Sequence, residues 1–201
     1  MGRLIYSVIC SLDGLTADTE GRFDFAMPDE EVHRDANAQM EPVTLQLYGR
    51  RMYELMTPWE NDPGLIASSP EATEFATLWQ RSDKVVFSTT LQETSTRRTT
   101  LERSFDPVTV RALVDDADGE VTIDGPTLAA HALRAGIVDE VRQVLLPVVV
   151  GAGLPVFPAD VRLDLELLDQ RRFRGGAVAL RYAARRSSPD RDVAAENPSA
   201  S

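Results

Sequence analysis

Leu47-Tyr48-Gly49-Arg50-Arg51-Met52-Tyr53-Glu54 follows an alternating apolar run at Val43, Leu45 and Leu47 and opens a helix expected over 50–56. The alternation reads as a strand. A glycine directly after a strand lets the backbone turn and come close to a ligand. The first N–H groups of the next helix point at whatever lies above them, and two arginines add forked donors suited to phosphate. Such a turn is an anion socket at the carboxyl end of a strand, where open α/β sheets hold their ligands. Arginines in a first helical turn can equally be solvated charges, and that reading stays open beside the other.

Working outward, strand-like runs fall at 3–10, 43–48, 84–88, 120–124, 139–149, 163–173 and 176–184. The first five alternate with helical or loop segments, the rhythm of a largely parallel sheet. Helices are expected over 29–40, 50–56, 71–81, 107–117 and 126–135; Pro107 takes the first-turn position after Asp106. The last two strands flank Gly175-Gly176 and read as an antiparallel hairpin. Residues 1–186 form one expected domain, and the Pro-, Ser- and Asp-rich stretch 187–201 reads as a disordered tail. The segment Leu15 to Pro28 reads as a long loop with a functional role.

With 201 residues, 43% hydrophobic and 26% charged, the chain is long enough for a well-buried soluble domain. No apolar run approaches the roughly 20 residues that span a bilayer. The single cysteine, Cys10, lies in the first apolar strand and reads as a small buried hydrophobe; with no export signal seen, the expected location is cytoplasmic. His33 and His131 belong to no cluster with metal-ligand spacing, so no metal site is expected. A formal charge of −11 argues against nucleic-acid binding. An anionic ligand needs local arginines that outweigh this field.

Further segments fall in a recognisable order. Ser11-Leu12-Asp13-Gly14 ends the first strand, and Asp124-Gly125-Pro126-Thr127-Leu128 joins a strand to a helix. Gly136-Ile137-Val138-Asp139-Glu140-Val141 leads to Leu146-Pro147-Val148-Val149-Val150-Gly151-Ala152-Gly153-Leu154-Pro155-Val156-Phe157, and Leu180-Arg181-Tyr182 closes the series. With Gly49-Arg50-Arg51, these segments resemble the dihydrofolate-reductase-like family, in its riboflavin-biosynthesis reductase-domain group, over nearly all of 3–184. The resemblance implies a doubly wound, mostly parallel α/β sheet of about eight strands, with a C-terminal antiparallel hairpin and helices on both faces. It implies NADPH lying across the strand ends. Gly49, Arg50 and Arg51 would meet its phosphates, Ser88 and Thr89 the adenosine end, Asp124 to Leu128 the pyrophosphate, and Leu15, Thr16 and Ala17 the nicotinamide. It also implies a homodimer and a small, flat pterin- or pyrimidine-like substrate.

The chain departs from this pattern at Asp124 and Pro126, where the family carries consecutive glycines. A carboxylate repels phosphate and proline has no N–H to donate. Asp124 also reads as a cap of the following helix. Met52 replaces a threonine hydroxyl. Hydride reduction further needs a proton source, and the candidate acids are Asp13, Asp24 and Glu31, with Asp29 and Glu30 beside the last. Asp13-Gly14 is also a turn signal, Asp24 lies between Phe23 and Phe25, and acids such as Glu31 suit a first helical turn. Trp59 reads as a loop anchor or a cleft wall. Three functions therefore stand: an NADPH-dependent reductase, a non-catalytic nucleotide-binding homologue, and a stand-alone 5-amino-6-(5-phosphoribosylamino)uracil reductase.

Overall fold

The computed structural model describes residues 2–185; the tail expected at 187–201 lies outside them. The strands are β1 Leu4–Ser11, β2 Leu15–Asp18, β3 Val43–Gly49, β4 Asp83–Phe87, β5 Thr99–Glu102, β6 Glu120–Asp124, β7 Glu140–Leu146, β8 Gly153–Pro155, β9 Asp164–Arg172 and β10 Val178–Arg185. The helices are α1 Glu30–Met40, α2 Arg50–Met56, α3 Pro58–Asn61, α4 Pro63–Ile66, α5 Pro70–Arg81, α6 Pro107–Asp116 and α7 Pro126–Arg134.

Eight strands form one sheet in the order β5-β4-β3-β6-β1-β7-β10-β9. All pairs from β5 to β7 are parallel, and β10 runs antiparallel to both β7 and β9. The expected doubly wound sheet with a terminal hairpin is the fold observed. Its helices start where local chemistry says they should. Asp29, Ser69 and Asp106 each accept an N–H of the first turn of α1, α5 and α6, and proline opens α5, α6 and α7.

Two faces are covered differently. On one, Val110 and Val114 of α6 and Leu128, Ala129, Ala132 and Leu133 of α7 pack on Leu4, Tyr6, Leu47, Val121, Ile123 and Val141. On the other, Trp79 of α5 and Tyr53 of α2 pack on Tyr48 and Val86, and Val32 of α1 packs with Leu146, Phe173 and Ala179. Because α2 and α7 follow the adjacent strands β3 and β6 and leave toward opposite faces, a crevice opens above those two strand ends, a topological switch point. Cys10 is buried in the α6–α7 core, as expected.

Three readings need correction. The expected loop from Leu15 is not a loop throughout: Leu15–Asp18 pairs antiparallel with Gly153–Pro155, and Asp24–Ala26 forms a 3-10 turn. The strand expected to reach 149 stops at Leu146, where Pro147 has no N–H to continue the ladder. Thr99–Glu102 is an edge strand, beside β4 only.

Candidate functional site

The carboxyl ends of six parallel strands share one side of the molecule, and the segments singled out by sequence meet there. At the β3–α2 turn, a Cβ built on Gly49 would lie 3.6 Å from the Leu128 Cβ of α7. At the β6–α7 turn, Gly125 has φ +88° and a Cβ there would lie 3.3 Å from the Met52 Cβ of α2. The two helix starts therefore face each other closely; the β6–α7 turn depends on its glycine, whereas Gly49 has φ −78° and an ordinary contact distance. Pro126 contributes no donor, while Thr127 and Leu128 keep first-turn N–H groups outside the intrahelical ladder.

The paired arginines separate. Arg50 donates Nε to Glu54 at 2.7 Å and Nη1 to the Thr90 hydroxyl at 3.0 Å. Arg51 reaches the turn before the 3-10 segment, its Nη2 lying 2.8 Å from where a Gly21 Cβ would stand, and no carboxylate among the described residues pairs with it. The Ser88 hydroxyl oxygen is occupied by the N–H groups of Thr90 and Leu91, at 3.2 and 3.0 Å, so it shapes a turn. Thr89 is exposed beside it. Thr90, the last residue of the Ser88-Thr89-Thr90 strand end, is the hydroxyl that meets Arg50; its distance of 40 residues from that arginine hides the contact in sequence.

Asp124 ends β6 in register with Ser7 of β1 and Tyr48 of β3. Registered residues of parallel strands share a face. The side chain is half-buried, with the Thr122 hydroxyl donating to Oδ2 at 2.9 Å. Burial pushes its pKa up to about 7, against the opposing pull of that hydrogen bond. Asp124 is thus no helix cap: Gly125 occupies that position.

The opposite rim is closed on itself. Asp13 accepts N–H groups from Val150 at 3.1 Å and Gly151 at 2.7 Å, Leu12 N–H donates to Val148, and Val156 N–H to Gly14. Hydrogen bonds, led by the Ser11 side chain, hold Asp13 down at a pKa of about 2, so it stays ionised and carries no proton to give near neutrality. Leu15, Thr16 and Ala17 form β2, with Thr16 donating to the Leu154 carbonyl at 3.1 Å and Ala17 buried. Asp24 is exposed in the 3-10 turn, its flanking rings leaving it open to solvent. Glu31 is half-buried on the first turn of α1, and one of its oxygens accepts the Arg174 N–H at 2.8 Å, tying α1 to the β9–β10 turn. Trp59 packs against Phe75, their ring centroids 4.7 Å apart and tilted by 57°, and meets His33 edge-on, which makes it an anchor between α3, α5 and α1.

A strand-end crevice at a switch point, glycine turns on both sides and the 136–157 segment crossing its far rim agree with one family model, the RibD C-terminal domain, which matches residues 3–179. The chain belongs to that family. A curated relative, the uncharacterized protein YyaP of Bacillus subtilis (strain 168), is 27% identical over 187 residues, covering 90% of this chain and 94% of its own. Among solved structures, a putative riboflavin biosynthesis protein from Shewanella sp. PV-4 superposes with a TM-score of 0.72 at 21% identity, covering 92% of this chain and 99% of that one. RibD of Acinetobacter baumannii gives a TM-score of 0.65 at 16% identity; 92% of this chain is covered, but only 58% of RibD. These structural likenesses concern the fold. No helix among the described residues is long and apolar enough to cross a membrane.

Proposed function

We propose that residues 1–186 act as an NADPH-dependent reductase of a small, flat pterin- or pyrimidine-like substrate in the cytoplasm. One observation carries this reading: two glycine-opened helices, α2 and α7, converge above adjacent parallel strands, and Arg51 stands beside them with no carboxylate partner among the described residues. Glycines keep side chains out of the space a phosphate chain would fill, and an unpaired guanidinium is suited to a phosphate. The residues present therefore fit the cofactor in part. Gly49, Arg50 and Arg51 would hold its 2′-phosphate, Thr89 and Ser88 its adenosine end, and Gly125, Thr127 and Leu128 the pyrophosphate. Leu15 to Ala17, braced by β8, would cover the nicotinamide.

When bound, NADPH would supply the hydride; the chain positions the acceptor, and solvent water supplies the proton that completes the reduction. Of the three acids, Asp13 serves the loop at Val150 and Gly151, and Asp24 faces solvent. Glu31 is left to hold the substrate, with one carboxylate oxygen on Arg174 and the other free to accept from a ring N–H or amino group. A homodimer is part of the same proposal. Edge strand β9, which exposes Leu167 and Leu168, is the surface we assign to it.

The test is NADPH consumption with three acceptors: a ribosylaminopyrimidine phosphate, a dihydropterin and a simple carbonyl compound. Turnover of any one supports the reductase and names its substrate class; turnover of the first makes it a ribosylaminopyrimidine reductase. Tight NADPH binding without turnover of all three would favour the non-catalytic reading, which the altered Asp124-Gly125-Pro126 turn supports.

A further inference from the structure

We infer that Arg103, just past the end of β5, joins Arg50 as the second guanidinium of the nucleotide's 2′-phosphate subsite and sets a preference for NADPH over NADH. The inference rests on the reading of the crevice as a dinucleotide site, and it adds a residue that the Gly49-Arg50-Arg51 turn does not contain. In a chain of formal charge −11, an anion is held only where guanidinium groups are not already neutralised. Among the described residues, Arg51, Arg103, Arg172 and Arg174 have no carboxylate partner. Arg172 and Arg174 belong to the β9–β10 end of the sheet. Arg103 belongs to the other end, beside β4 and the loop that follows it.

That loop, residues 88–91, brings Arg103 and Arg50 together. Arg103 Nη1 donates to the Ser88 carbonyl at 3.1 Å and to the Leu91 carbonyl at 2.6 Å. Arg50 Nη1 donates to the Thr90 hydroxyl at 3.0 Å, and that hydroxyl lies 3.5 Å from the hydroxyl of Ser88. Two guanidinium groups from different elements therefore meet on one short loop, with Thr89 exposed in the middle of it. Arg51, the sequence neighbour, goes elsewhere, to Gly21. A guanidinium is a fork of N–H donors. Arg103 commits Nη1 to the loop, and its Nε and Nη2 have no hydrogen-bond partner among the described residues. The two carbonyls hold the fork in place in advance, which lowers the ordering cost of gripping a phosphate. The nearby acids do not neutralise it. Glu102 is in register with Phe87, which packs in the α6–α7 core, so its side chain leaves on that face. Glu54 is on Arg50, and Glu93 is exposed with no ion pair among the described residues. Arg50 is thus shared with a carboxylate, whereas Arg103 keeps its whole charge.

A phosphate monoester in this crevice has two sources, the nucleotide's 2′-phosphate and a phosphorylated substrate, and nucleotide fragments separate them. Calorimetric titration of the whole chain compares NADPH with NADH, and adenosine 2′,5′-bisphosphate with adenosine 5′-phosphate. It is run at about pH 7.5, where the 2′-phosphate is mostly a dianion. Wild type should prefer the 2′-phosphorylated member of each pair by about tenfold or more. Arg103→Ala should lose most of that preference and keep its affinity for NADH and adenosine 5′-phosphate. Arg103→Gln, which keeps an N–H donor for the loop carbonyls without the charge, gives the same reading should the alanine variant not fold. Equal weakening toward both members of a pair makes Arg103 a brace of the loop and overturns the inference. A preference that survives its removal, or a wild type that binds both members equally, overturns it too. So does a loss confined to turnover of a phosphorylated acceptor, which would give Arg103 to the substrate. Each of these leaves nucleotide binding by the crevice intact. If wild type binds none of these nucleotides, the cofactor reading fails and this inference with it.

Discussion

At the α2–α7 rim of the crevice, polar groups outnumber their partners; at the β2–β8 rim they are matched. Among the described residues no carboxylate pairs with Arg51 and no cation with the half-buried Asp124, and the first turn of α7 keeps N–H groups outside its ladder. Across the crevice, Asp13 spends both oxygens on Val150 and Gly151, and β2 pairs with β8. A polar group that is costly to leave unpaired yet has no protein partner is waiting for a ligand, whereas one fully paired is holding the scaffold. The contrast separates binding residues from bracing ones among side chains that look alike in sequence, Asp13 and Asp124 above all.

The hardest blow to the bracing rim is Gly153→Ala. A Cβ at this residue would lie 1.9 Å from the Ala17 carbonyl oxygen, at φ +155°. Urea denaturation should show a loss of about 2–4 kcal/mol, as for other backbone-incompatible substitutions. At the binding rim, Gly125→Val strains a residue with φ +88° and presses on Met52. It should cost about 1–3 kcal/mol in the same assay, and calorimetry should show NADPH affinity down by at least about tenfold. If Gly125→Val left NADPH affinity unchanged, the two rims would not differ in the way described.

Asp124 and Asp13 should also respond oppositely to pH. With its pKa raised from 3.8 to about 7, folded Asp124 keeps a proton that the unfolded chain has released, so its effect is to lower stability as pH rises between those values. Asp124→Asn should therefore melt at the same temperature as wild type near pH 4 and higher than it near pH 8. Asp13 has the reverse sign. Its pKa is depressed from 3.8 to about 2, so what it contributes is present above the ordinary value and lost as pH falls through the lower one. The smallest effect expected is local: hydrogen exchange at the Val150 and Gly151 amides should be slow at about pH 5 in wild type and fast in Asp13→Ala. Equal exchange in the two proteins would remove the clamp from the account.

Most of the sheet was legible because it is written locally. The alternation at Val43, Leu45 and Leu47, the Pro-opened helices and the Gly175-Gly176 turn each need only a few neighbouring residues. Thr99–Glu102 was missed because an edge strand beside β4 alone half-buries Thr99 and Leu101 and leaves no strong apolar pattern. β2 and β8 were missed because their pairing joins residues more than a hundred positions apart, and three or four residues carry little signal alone. The site shows the same division. Gly49 and Gly125 could be found from their turns. Asp13 looked like an available acid because its partners sit 137 and 138 positions away. Asp124 stood out as a departure, but the neighbours that share its face, Ser7 and Tyr48, come from two other strands.

The central claim, that the α2–α7 crevice holds a phosphate-bearing dinucleotide, is tested most directly by calorimetric titration with NADPH and NADH near pH 6, using wild type and Arg50→Ala/Arg51→Ala. The account predicts NADPH binding in the micromolar range, NADH weaker by about tenfold or more, and loss of that preference in the double variant. Binding of neither nucleotide to wild type, or a preference for NADPH that survives removal of both arginines, would contradict it.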